Sequence, residues 1–167
     1  TPAPPTLNIR PGPARDPPVI LTLIRELAIY ETALEEVTPN EDSPRDALFG
    51  TEARAYSLIC EIDGEGAGFA IYFYNFSTWL GKYGIFLEDL YVSPRFRGRG
   101  AGKALLQYLA RQAVAEGCGR FEWNVLDWNR LAIDFYESFG AKPMSEWVGY
   151  RLSGDALKAF SEGGHAS

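Results

Sequence analysis

The spacing of apolar positions changes several times along this chain, and each change marks an element. Val19, Ile20, Leu23, Ile24 and Leu27 recur at the three- and four-residue steps of a single helix face. Asp16 stands before them as a cap and Pro17 at the first turn, so a helix is predicted to about Thr32. Residues 7–10 form a short strand ahead of it. Ser43-Pro44 opens a short helix through Leu48, closed by Gly50. From Ala55 the pattern turns to strands, at 55–62, 68–76 and 82–92, the first two joined through Asp63-Gly64-Glu65-Gly66 as a hairpin. Helical spacing returns over 101–116, followed by a strand at 120–126 and a helix at 129–139 that Gly140 ends. A last strand at 145–153 and a terminal helix at 154–162 complete the order. The expected fold class is therefore α/β: one domain over 7–162, its mixed, mostly antiparallel sheet flanked by helices, with flexible tails at 1–6 and 163–167.

Composition changes this picture little. The chain has 167 residues and 46% apolar content, enough for a real core. No apolar run approaches the ~20 residues that span a bilayer, and no basic segment leads into an apolar one near the start. A cytoplasmic protein with no membrane partner is expected. Cys60 and Cys118 read as reduced structural thiols, with a disulfide between them left open. The net charge of −6 argues against a nucleic-acid partner and favours a cationic ligand. Its distribution says more. Arg95, Arg97, Arg99 and Lys103 make a basic island, while acids gather at 31–36, 41–42 and 88–89.

The basic island holds the most specific pattern, Arg97-Gly98-Arg99-Gly100-Ala101-Gly102-Lys103, between the strand ending at Val92 and the helix from Ala101. A glycine turn at a strand-to-helix junction leaves unpaired N–H groups at the positive helix end, where phosphate oxygens bind. The Walker spacing fails twice, because Arg97 stands where its first glycine belongs and Ala104 where its Ser or Thr belongs. The dinucleotide spacing fails once, with Lys103 at the third glycine. The remaining template, R-x-x-G-x-G, is met by Arg97, Gly100 and Gly102.

That template resembles the pyrophosphate loop of the GNAT superfamily of N-acetyltransferases, which hold acetyl-coenzyme A. The resemblance extends to residues 87–94 before the loop and 129–140 after it. One branch is closer still. Leu23 to Glu31, Trp79-Leu80-Gly81-Lys82, Leu87-Glu88-Asp89, and Trp128-Asn129 with Phe135-Tyr136 are similar to the diamine (spermidine/spermine) and thialysine acetyltransferases. The likeness covers roughly residues 7–153. It implies acetyl-CoA as acetyl donor, no metal, a small-molecule amine as acceptor, and a homodimer. It implies that the N–H groups of Gly98, Arg99, Gly100, Ala101 and Gly102 bind pyrophosphate with Arg97, Arg99 and Lys103 adding charge. Leu90, Tyr91 and Val92 would offer strand backbone to the pantetheine amides, and Asn129 would contact the coenzyme. Acetyl transfer needs a neutral amine, whose pKa lies near ~10.4, so Glu88 is expected to accept its proton directly or through water. Tyr136 takes the position that faces the departing thiolate, as general acid. Asn129 and Tyr136, seven residues apart, share a helix face.

On the acceptor side the resemblance implies Tyr30, Glu31, Glu88, Asp89 and Trp79. Asp89 should face away from Glu88 if the strand is regular, and a bulge would change that. Two acids of the polyamine enzymes are missing: Ser77 stands two residues before Trp79, and Val148 precedes the Gly-aromatic-Arg-Leu ending. Each lost charge-assisted contact is worth ~1.5–3 kcal/mol, which favours a shorter or singly charged amine. Acetylation of a protein lysine or N-terminus, and a non-catalytic acyl-CoA-binding module, are the rival readings.

Overall fold

The computed structural model describes residues 7–11, 22–26 and 54–164. Five strands make one sheet in the order β1 (Leu7–Pro11), β2 (Tyr56–Ile62), β3 (Glu65–Ser77), β4 (Lys82–Val92) and β5 (Phe121–Trp123). The first three pairings are antiparallel and β4–β5 is parallel. A parallel step cannot be closed by a hairpin, and the helix α2 (Ala101–Ala115) supplies the crossover. The mixed, mostly antiparallel sheet is as expected, although β5 is shorter than the run 120–126.

The sheet carries a helix on each face. Residues 22–26 are helical (α1) and lay Leu23 against Phe69 and Tyr91, with Ile24 and Ile71 packed against Ile59. On the other face α2 buries Ala101, Leu105, Leu106, Leu109 and Ala113, the spacing of one helical stripe. Its Gln112 amide donates to the hydroxyls of Tyr72 and Tyr74, at 3.1 and 3.0 Å. Both cysteines are free; burial, reinforced by Glu61, pushes the Cys60 thiol up to about 11, and burial also raises that of Cys118. The rest of the first predicted helix and the helix at 43–48 lie outside the described residues.

The chain divides into two compact units, 1–124 and 125–167. The second contains α3 (Arg130–Ser138) and α4 (Gly154–Ser161). The expected strand at 145–153 does not form: a turn occupies Ser145-Glu146, closed by the Trp147 amide donating to the Met144 carbonyl at 3.1 Å, and the segment continues without ladder bonds. Its apolar residues suit a strand, but a strand exists only where a neighbour completes its hydrogen bonds.

Candidate active site

The end of β4 is irregular in a way that the apolar pattern alone does not show. On β3, Ile71 pairs with Asp89 and Tyr72 with Leu87, so Glu88 has no residue opposite it. This is a β-bulge, and it reverses the alternation of β4. Leu87 and Asp89, which a regular strand would place together, pair with adjacent residues of β3 and so lie on opposite faces. Leu87 is buried, Asp89 half-buried, and Glu88 exposed. The condition set on Asp89 by strand regularity therefore does not hold. Since β5 pairs only with Ile85, Phe86 and Leu87, no strand among the described residues lies along the outer edge of β4 from Glu88 onward. Backbone groups on that edge can add an extended ligand as they would a strand.

A second bulge locks this segment from the other side. Cys60 pairs with Gly68 and Glu61 with Gly66, leaving Ala67 unpaired on β3. The Ala67 carbonyl instead accepts the Ser93 amide at 2.8 Å. Beside it, a Cβ on Gly68 would lie 2.6 Å from the Tyr91 carbonyl oxygen, so only glycine permits this approach.

The glycine loop follows a short 3-10 turn, Pro94–Phe96. Gly98 and Gly100 have φ of +80° and +82°, and a Cβ at either would find nothing within 4 Å, so the backbone is both left-handed and open to an approaching ligand. Gly100 begins α2 without a side-chain cap, and Ala104 makes the first helical bond, to the Gly100 carbonyl at 2.9 Å. The amides of Ala101, Gly102 and Lys103 thus precede the intrahelical ladder and suit an anion. The basic residues are held differently. Arg95 pairs with Glu65 at 3.3 Å and lies over Phe96, and Arg99 lies over the same ring at 5.6 Å. Arg97 Nε donates to the Val92 carbonyl at 3.3 Å, with its guanidinium 5.9 Å from the Tyr91 ring centre.

Sequence reading missed Glu26. Its Oε2 accepts hydrogen bonds from the Tyr91 hydroxyl at 3.1 Å and from Ser93 Oγ at 2.8 Å. Burial, then the Glu26 bond and charge, push the Tyr91 phenol up to about 12. The available signal was a carboxylate three residues after Leu23, on the apolar side of the predicted helix.

In the second unit, Asn129 caps α3: its Oδ1 accepts the Ala132 amide at 3.3 Å. Tyr136 is half-buried beside Phe135 and Phe139, and burial raises its phenol above the ordinary value. Trp79 is 96% exposed in the turn between β3 and β4. Ser77, at one missing-acid position, is buried and its Oγ accepts the Leu80 amide at 3.2 Å. Tyr30 and Glu31 lie outside the described residues. Glu88 through Lys103 are thus gathered along one strand end and loop, whereas Asn129 and Tyr136 belong to α3.

Comparison with known proteins points to one family. The model of the acetyltransferase (GNAT) family matches residues 24–141. A thialysine N-epsilon-acetyltransferase of Sus scrofa is 36% identical over 153 residues, covering 85% of this chain and 89% of that protein. An L-ornithine N5-acetyltransferase of Arabidopsis thaliana is 47% identical over 96 residues, 58% of this chain and 42% of its own. In fold, an integron cassette protein from V. cholerae superposes with a TM-score of 0.80 at 24% identity, covering 93% of this chain and 98% of that one. This chain belongs to the acetyltransferase (GNAT) family.

Proposed function

We propose that this protein transfers the acetyl group of acetyl-CoA to the primary amine of a small cationic substrate, by direct attack. The observation that carries the reading is the continuous run from the Glu88 bulge, along the open edge of β4, into the uncapped glycine start of α2. Pyrophosphate fits the last part, with its left-handed glycines, ladder-free amides and adjacent arginines. The extended pantetheine arm fits the middle. Coenzyme A supplies a thioester, whose carbonyl carbon is open to a neutral amine.

Glu88 takes the ammonium proton directly or through one water, as its exposed position at the bulge permits. The neutral nitrogen bonds the thioester carbonyl carbon. As the C–S bond then breaks, Tyr136 gives its proton to the sulfur. The nitrogen's second proton leaves to water, from which the phenolate is reprotonated. A tyrosine phenol is protonated at neutral pH, the form an acid needs, and burial moves its titration further from neutrality. Asn129, already using Oδ1 for its cap, would meet the coenzyme through its amide nitrogen. The amine class follows from the relatives and from Ser77. That hydroxyl is spent on its own turn and offers no charge to a distant second ammonium, which favours a lysine-like, ornithine-like or short diamine acceptor over a polyamine. On resemblance alone, the same reading extends to a homodimer in the cytoplasm, which light scattering and cell fractionation check.

The test is CoA release by the purified chain with thialysine, lysine, ornithine, short diamines, spermidine and lysine peptides. Turnover greatest on the short amines supports the reading. Turnover on peptides alone moves the protein to the protein-acetylating class, and acetyl-CoA binding without turnover on any amine overturns the enzyme assignment.

A further inference from the structure

We propose that Glu26 is a positioning residue for the acetyl donor: from α1 its carboxylate sets the end of β4 and, through Tyr91, the Arg97 side chain that starts the glycine loop. The inference rests on the donor reading given above. One oxygen, Oε2, receives both the Tyr91 and the Ser93 hydroxyls. Those donors are 5% and 6% exposed, so water cannot readily replace a lost acceptor.

Each donor is tied to the coenzyme segment in its own way. Ser93 closes β4 with three anchors: its amide on the Ala67 carbonyl, its carbonyl accepting the Phe96 amide at 2.9 Å, and its hydroxyl on Glu26. The first two fix the backbone, and the third joins it to a helix 67 residues earlier. Tyr91 lies in the strand segment expected to meet pantetheine, and the Arg97 guanidinium lies 5.9 Å from its ring centre. Arg97 is held at Nε by the Val92 carbonyl. A guanidinium anchored at that nitrogen is a fixed positive charge at the start of the loop, where a phosphate would meet it. The chain of contacts Glu26–Tyr91–Arg97 therefore orients the first charge of the loop before ligand arrives, and pre-ordering of this kind is read in affinity. Glu26 touches neither reacting atom. Its effect passes through its neighbours.

Calorimetric titration of the full chain with free CoA tests this, alongside steady-state kinetics with acetyl-CoA and the best amine. Removing a charged acceptor shared by two buried hydroxyls should raise the CoA Kd and acetyl-CoA KM of Glu26→Ala about tenfold, with saturated kcat and amine KM within about twofold. Glu26→Gln should restore CoA affinity to within about threefold, because one amide oxygen can accept both hydroxyls. An unchanged Kd in Glu26→Ala, a loss confined to amine KM or kcat, or a glutamine variant as poor as alanine would each overturn the proposal. Should the alanine variant not fold, Tyr91→Phe decides: a Kd raised about tenfold supports the proposal and an unchanged one overturns it. If the wild type itself binds no CoA, the donor reading falls and this inference with it; wild-type binding with an unaffected Glu26→Ala removes this inference alone.

Discussion

Two regions carry the proposed chemistry, and they are built on opposite principles. The end of β4 and its glycine loop are held from far away in sequence. Glu26 is 65 residues from Tyr91, and Ala67 accepts the amide of Ser93 across a second bulge. The α3 helix specifies itself locally. Asn129 caps it, Arg130 and Asp134 pair at 3.0 Å one turn apart, and Phe135, Tyr136 and Phe139 touch one another. Gly140 follows it with φ +98°. None of its residues is fully buried. The contrast separates two tasks. Holding a long donor demands backbone fixed by tertiary contacts, while presenting one phenol demands only a helix of the right register.

Breaking each region should therefore give a different signature. The largest effect is expected from Tyr136→Phe, which removes a proton donor and should lower kcat by about 10²-fold or more. The CoA Kd, measured by titration, should stay unchanged; a large affinity loss would place Tyr136 in binding instead. Because burial raises its pKa, the wild-type kcat should fall with alkaline pH only above the ordinary tyrosine range, and that limb should vanish in the variant. Next is Gly100→Val. Its Cβ meets no neighbour, so the damage is backbone strain at φ +82°, roughly 1–2 kcal/mol, or about tenfold in CoA affinity. Equal affinity would show that the left-handed turn does not shape the phosphate site.

Smaller and local is Asn129→Ala. Loss of the cap should cost about 1 kcal/mol in the denaturation of a chain that unfolds cooperatively. A loss of CoA affinity larger than this destabilisation accounts for would report the coenzyme contact. Smallest is Arg130→Ala, where an exposed pair one turn apart is worth about 0.2–0.5 kcal/mol, with no change in either substrate constant. A donor-affinity effect from this exposed change would blur the division between the two regions.

Much of this was legible without coordinates. The hairpin, the glycine junction, the crossover helix and the helix from Asn129 to Gly140 are written in local chemistry: turn residues, periodic burial and caps. The GNAT loop spacing, Arg97-x-x-Gly100-x-Gly102, belongs to the same level, because it encodes a backbone shape within six residues. The failed strand at 145–153 shows the limit of that level. An apolar, aromatic run records a preference for extended backbone, and the preference is void without a partner for its hydrogen bonds.

By itself, then, the amino-acid order determined most of the described elements, where the glycine loop sits and which family the chain resembles. Only the tertiary structure decided the bulge at Glu88, which reverses the faces of Leu87 and Asp89, and the meeting of Glu26 with Tyr91 and Ser93. The physical reason is range. Turns, caps and helical stripes are set by neighbours a few residues apart, whereas register and a shared carboxylate depend on segments that folding brings together from some 65 residues apart.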